Sequence, residues 1–151
     1  MNYRKSLIDG KWLVAMIDTE DDYYKRFNEL FDKFGIAIGD LKNLTTYIDI
    51  KQFNEQALNE NHVYAIEAHE IGHYILGHSA LLQEININEE ELEKEADFAA
   101  YKILLKIKQK EAAELIEQRY LDHYGEQVQN FPIKSSQLSK IQKYLNEIKN
   151  I

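Results

Sequence analysis

The sequence contains no cysteine, which excludes disulfides, thiolate metal sites and cysteine nucleophiles. A single proline, Pro132, and only six glycines interrupt the chain, so helices should dominate. Long apolar runs are missing too. The longest near the start, Trp12 to Ile17, is too short for the core of a signal peptide or for a membrane span. Basic charge is scarce: 18 Lys and Arg stand against 26 Asp and Glu, giving a net charge of −8 and a pI of about 5.1. Binding to bare nucleic acid through its phosphates is therefore not expected, whereas a basic protein partner would suit the surface. The expectation is therefore a soluble, cytoplasmic protein with no membrane partner. At 151 residues, 44% hydrophobic and 29% charged, the chain reads as one domain over residues 1–151, without internal repeats or low-complexity linkers.

Hydrophobic spacing supplies the elements. Thr19 with Asp22 three residues on marks a helix start, Tyr23, Phe27, Leu30, Phe31 and Phe34 recur at helical spacing, and Gly35 closes the segment. Leu44 to Ile50 (LTTYIDI) alternates and is rich in β-branched residues, so it reads as a strand with Thr46, Ile48 and Ile50 on one face. Ile36 to Gly39 reads as a second strand, and Trp12 to Asp18 fits either strand or helix. A helix is expected from about His62 to Gly77. Another starts at Asn88, whose side chain with Glu91 three residues later makes a capping box. Two more run from about Lys110 to Tyr124, stopped by Gly125, and from about Ser136 to Asn150, with Leu138, Ile141, Leu145 and Ile148 on one face. The fold class is α+β: a small sheet with several helices.

Within the helix expected at His62–Gly77 lies AHEIGHYILGH, Ala68 to His78. His69 and His73 are four residues apart, on one helical face and one turn apart. Two imidazoles so placed can both reach a zinc ion at about 2.0–2.1 Å. Glu70 projects beside them, where a carboxylate can take a proton from water. This is the H-E-x-x-H arrangement of metallopeptidases. Ala68, Ile71, Ile75 and Leu76 make the rest of the helix apolar, so an exposed face bearing a chance motif fits poorly. Gly72 costs about 1 kcal/mol relative to Ala inside a helix, and close packing against another backbone is the usual reason to keep it.

A third protein ligand must be His or a carboxylate. The helix after Asn88 carries an apolar stripe at positions 92, 96, 99, 100, 103, 104 and 107. With Leu92 at zero and about 100° per residue, that stripe spans roughly −20° to 120°. Glu93 falls inside it, at about 100°, where an unpartnered carboxylate is costly. A metal would resolve that cost, so Glu93 is the expected third ligand of one Zn2+ per chain. Asp97, one turn on at the stripe's edge, would accept the second N–H of a ligating imidazole. Glu90, Glu91, Lys94 and Glu95 fall outside the stripe. Phe98, Tyr101 and Leu105 lie opposite, so the helix should be covered on both sides.

His78 is out of register for the metzincin pattern, which needs Gly at 76 and His at 79 and finds Leu76 and Ser79. It is placed just beyond the helix end, nearer the substrate than the metal. Tyr74 and His78 are candidate transition-state stabilisers, with His62, Tyr120, His123 and Tyr124 further choices that sequence alone cannot separate.

With both motifs in hand, the chain resembles the ImmA/IrrE family of zinc metallopeptidases, among the gluzincins. The resemblance rests on AHEIGHYILGH and on EKEADFAA, Glu93 to Ala100, in that order and at a typical distance. It extends over roughly residues 20–107, the catalytic core, and leaves the C-terminal extension of about 108–151 unexplained. It implies a minimal zincin-like domain, a small sheet packed on the active-site helix. It also implies His69, His73 and Glu93 as ligands, Glu70 as general base, and intracellular regulated proteolysis. Relatives in phages and mobile elements cut a helix-turn-helix transcriptional repressor, which makes such a protein the expected substrate. The stretch HVYAIEAHE departs from the basic-aromatic approach found in many relatives. The rival expectation is a non-catalytic zincin-fold module that sequesters a regulator without cutting it.

Overall fold

In a computed structural model, which describes residues 2–21, 24–78 and 88–148, the chain forms a mixed α+β structure in two compact units, 1–60 and 61–151. The first unit is built on a four-stranded sheet of β1 (Asn2–Lys5), β2 (Leu13–Ile17), β3 (Ala37–Asp40) and β4 (Thr45–Asp49). Its spatial order is β1-β2-β4-β3. β2 and β4 pair in parallel, with Ala15 opposite Tyr47, and the outer strands are antiparallel to their neighbours. Trp12 to Asp18, open between helix and strand in sequence, is therefore a central strand, and Val14, Ala15 and Ile17 are fully buried. Such burial is what a short apolar run tolerates in the middle of a sheet. β1 was not foreseen, because NYRK carries no apolar alternation.

Helix α1 (Tyr24–Phe34) ends at Gly35, whose φ of 98° suits only glycine. It does not begin at Thr19: residues 18–21 form a turn in which the Asp21 side chain accepts from the Asp18 N–H and the Asp18 side chain from the Glu20 N–H. Asp22 and Tyr23 lie outside the described residues. Ile50 does not continue the strand face of Thr46 and Ile48. The buried Asp49 carboxylate accepts the Lys51 N–H at 3.1 Å and the Gln52 side chain at 3.0 Å, which turns the chain into a short helix α2 (Ile50–Glu55).

The second unit is helical. α3 begins with Glu60 at the boundary and runs to Ile75 (Glu60–Ile75), and Gly77, at φ 72°, follows its end. α4 (Glu89–Lys106) starts at Asn88, whose side chain accepts the Glu91 N–H at 3.2 Å. α5 (Lys110–Tyr124) stops at Gly125 in the left-handed region, and α6 (Ser135–Glu147) follows a 3-10 turn at Val128–Asn130. All seven stripe residues of α4, from Leu92 to Ile107, are buried. So are Phe98 and Tyr101 on the opposite face, because α5, α6 and the 3-10 turn also pack on this helix. Leu105 stays exposed. Among the described residues, no helix is long and apolar enough to cross a membrane.

Candidate metal centre

α3 and α4 together carry His69, His73, Glu93 and Asp97, and the reason they can meet is Gly72. A Cβ at that position would stand 2.7 Å from the Ala96 carbonyl oxygen and 3.3 Å from both the Ala96 Cα and the Ala99 Cβ. The glycine lets the two backbones touch beside His73 on one helix and Asp97 on the other, one turn on from His69 and Glu93. The expectation that Gly72 marks a close helix approach is met.

Across that contact, three ligand-type side chains converge. His69 Nε2 lies 2.9 Å from Glu93 Oε2, His73 Nε2 lies 3.2 Å from Glu93 Oε1, and the two imidazole Nε2 atoms are 3.0 Å apart. The rings meet edge to face, at 89°. Four donors around an ion at about 2.0–2.1 Å would be separated by roughly 3.3 Å along each tetrahedral edge, so the two imidazole nitrogens, and each nitrogen with its nearer carboxylate oxygen, are within a few tenths of an ångström of that spacing. His69, His73 and Glu93 form a cluster that could hold a metal ion.

Proton placement supports the same reading. Asp97 is buried, at 1% exposure, and its Oδ1 accepts from His69 Nδ1 at 2.8 Å. That hydrogen bond leaves the His69 Nε2 lone pair facing the Glu93 carboxylate and the His73 ring. Acceptors aimed at one point need a cation. Without a metal, a proton must serve: burial opposes charge on His69, but Asp97 and Glu93 outweigh it and raise the imidazole to about 10. Burial likewise works against the Glu93 anion, yet its bonds to His69 and His73 hold it below the usual carboxylate range.

The other expected residues fall at different depths. Glu70 is partly buried on α3, close enough for its charge to act on His69. Tyr74 is exposed. His78, expected just beyond the helix end, is completely buried. Its Nδ1 lies 2.9 Å from His73 Nδ1 and its Nε2 lies 2.8 Å from Glu95 Oε1. Burial lowers its pKa, and the bond to Glu95 only partly offsets this.

Three contributors escaped the sequence reading. Glu95, placed outside the apolar stripe, is buried, because covering α4 on both sides turns its polar face inward. The Gln137 side chain on α6 donates to Glu95 at 3.0 Å. Arg119 on α5 donates to Asp97 Oδ1 at 2.6 Å while its side chain stays 56% exposed. Arg119 is the sole arginine after Arg26, a signal that was available; nothing in the spacing of Glu95 or Gln137 gives them away. Tyr124, also on α5, feels the charges of Asp97, Glu93 and Arg119, and its phenol is raised first by burial and then by those carboxylates. Comparison with protein-family models, curated proteins and solved structures gave no match.

Proposed function

We propose that the chain is a zinc-dependent endopeptidase of the ImmA/IrrE type that cleaves an intracellular protein. The observation that carries this is the convergence of His69, His73 and Glu93 on one point, with Glu70 alongside. The H-E-x-x-H spacing and the downstream Glu93–Asp97 pair, as in the ImmA/IrrE family, support it.

His69, His73 and Glu93 would hold the ion. When bound, zinc supplies Lewis acidity: it polarises a peptide carbonyl and makes water acidic near neutral pH. Glu70, one residue from His69, takes the proton of the attacking water and delivers it to the leaving amine as the C–N bond breaks. Asp97 holds His69 in the tautomer that presents Nε2, and Arg119 fixes Asp97. Tyr124 on α5, which feels the charge of Glu93, is the proposed donor to the negative charge developing on the carbonyl oxygen.

A helix-turn-helix repressor is the proposed substrate, by resemblance to family members of phages and mobile elements. Co-expression of wild type and Glu70→Gln with the candidate regulator, followed by pull-down, tests the reading. Fragments with wild type and an intact captured protein with Glu70→Gln are expected. Capture of the same intact protein by both would establish a sequestering module instead.

A further inference from the structure

The buried chain His73–His78–Glu95–Gln137 has no part in the proton transfers above, yet it ends on a metal-binding imidazole. Its members come from α3, the turn after it, α4 and α6. His73 Nδ1 meets His78 Nδ1 at 2.9 Å, His78 Nε2 meets Glu95 Oε1 at 2.8 Å, and the same Oε1 accepts the Gln137 Nε2 group at 3.0 Å. Gln137 also reaches the Leu76 carbonyl, in the turn that carries His78, at 3.4 Å. Of the four, His78 is fully buried and Glu95 and Gln137 are 3% and 7% exposed.

The hydrogen count along this chain has one consistent solution that leaves His73 able to bind a cation. A carboxylate only accepts, so the His78 proton sits on Nε2. A neutral His78 then has a bare Nδ1, which can only accept, so His73 must carry its proton on Nδ1. His73 Nε2 is thereby left with its lone pair toward His69 and Glu93. With the opposite tautomer, His73 would point an N–H at the metal position and the Glu95–His78 contact would lose its donor.

Resting on the metal-centre reading, we infer that His78, Glu95 and Gln137 are positioning residues that set the tautomer and orientation of His73, making the C-terminal helix α6 part of the metal-binding apparatus. The arrangement parallels Asp97 and Arg119 behind His69. His69 is backed directly by a carboxylate of α4 and His73 by another through His78, and each carboxylate accepts from a donor on a C-terminal helix. This assigns a role to the last part of the chain that the H-E-x-x-H motif does not touch.

The test is zinc affinity by competition with a chromophoric chelator, together with the visible spectrum of the Co2+-loaded full-length protein. The variants are His78→Phe, Glu95→Gln and Gln137→Leu, with Ile141→Val as a control for packing on α6 away from the chain of hydrogen bonds. Removing the partner of a ligating histidine costs about 10–100-fold in metal affinity. That loss, with a changed Co2+ spectrum, is expected for His78→Phe, and a smaller loss for Glu95→Gln, whose amide oxygen still accepts. Ile141→Val should lower the melting temperature and leave affinity and spectrum unchanged. If His78→Phe does not fold, Glu95→Gln decides. Wild-type affinity and spectrum in a folded His78→Phe, or in Glu95→Gln where that variant decides, would overturn the inference while His73→Ala still abolished binding. No zinc binding by the wild-type chain would overturn the metal centre itself.

Discussion

Replacing Gly72 by alanine tests how tightly the centre depends on the contact between α3 and α4. Two effects oppose each other. Alanine favours the helix by about 1 kcal/mol over glycine. Its Cβ, however, would stand 2.7 Å from the Ala96 carbonyl, against the 3.4 Å or more of ordinary contact, so the helices must part by up to 0.7 Å. The obstacle is backbone in the middle of a helix, which cannot rotate away. Overpacking of this kind costs about 1–3 kcal/mol, so the metal-free variant should be less stable by roughly 1 kcal/mol after the helical gain. The second consequence is sharper. His69 and His73 flank Gly72, and Glu93 and Asp97 flank Ala96, so separation at the contact opens the ligand triangle directly. Metal sites tolerate ligand displacements of only about 0.2 Å, and zinc affinity should fall at least tenfold. Urea unfolding with and without zinc measures both effects, and the gap between wild type and Gly72→Ala should widen when zinc is added. A variant more stable than wild type, with unchanged zinc affinity, would refute the claim that this glycine sets the spacing.

Other outcomes follow from the charges and the caps. In the metal-free protein, His69 is raised from 6.5 to about 10, so its charged form stabilises the fold fully below pH 6.5, and that contribution is lost as pH rises through about 10. Glu93, held below its ordinary 4.5, contributes above that pH and loses its contribution as pH falls through its lower folded value. Zinc must displace the His69 proton, so calorimetry in buffers of different ionisation enthalpy should record proton release, and affinity should climb with pH toward 10; binding without proton release would contradict the protonation assigned to His69. Asp97→Asn should weaken zinc binding by about 10–100-fold, with Arg119 left partly unpaired; an unchanged affinity would separate Asp97 from the centre. The Tyr120 hydroxyl is fully buried with no hydrogen-bond partner among the described residues, so Tyr120→Phe should be neutral or stabilising by about 1 kcal/mol in thermal unfolding; a clear loss of stability would mean the hydroxyl is satisfied after all. Asn88→Ala should cost about 1 kcal/mol, read by the same method, through loss of the α4 cap.

Much was legible in the sequence because it is local. The i, i+4 spacing of His69 and His73 is a property of any α-helix, and the Asn88 cap and the Gly125 stop depend on a few neighbouring residues. The stripe from Leu92 to Ile107 follows from helical periodicity, and it brought Glu93 and Asp97 to the inner side of α4. Local reading failed where two signals competed. Ile50 belongs to the β-branched pattern of the strand before it, but the Asp49 carboxylate captures the next N–H groups and starts a helix.

Only tertiary structure decided the rest. Phe98 and Tyr101 foretold a second covered face of α4, but periodicity does not say which polar residues that cover buries, so the burial of Glu95 is invisible until α5 and α6 are in place. The same holds for Arg119 and Gln137, which reach α4 across sequence separations of 22 and 42 residues that no spacing rule spans. His78, out of register for the metzincin pattern, was placed just beyond the helix end and nearer a substrate than the metal. Its burial beneath α6 and its bonds to His73 and Glu95 depend on where that helix lands. The motif by itself determined which groups could bind a metal; the packing of α4, α5 and α6 decided which nitrogen each histidine presents, because a tautomer is set by the acceptor on the far side of the ring.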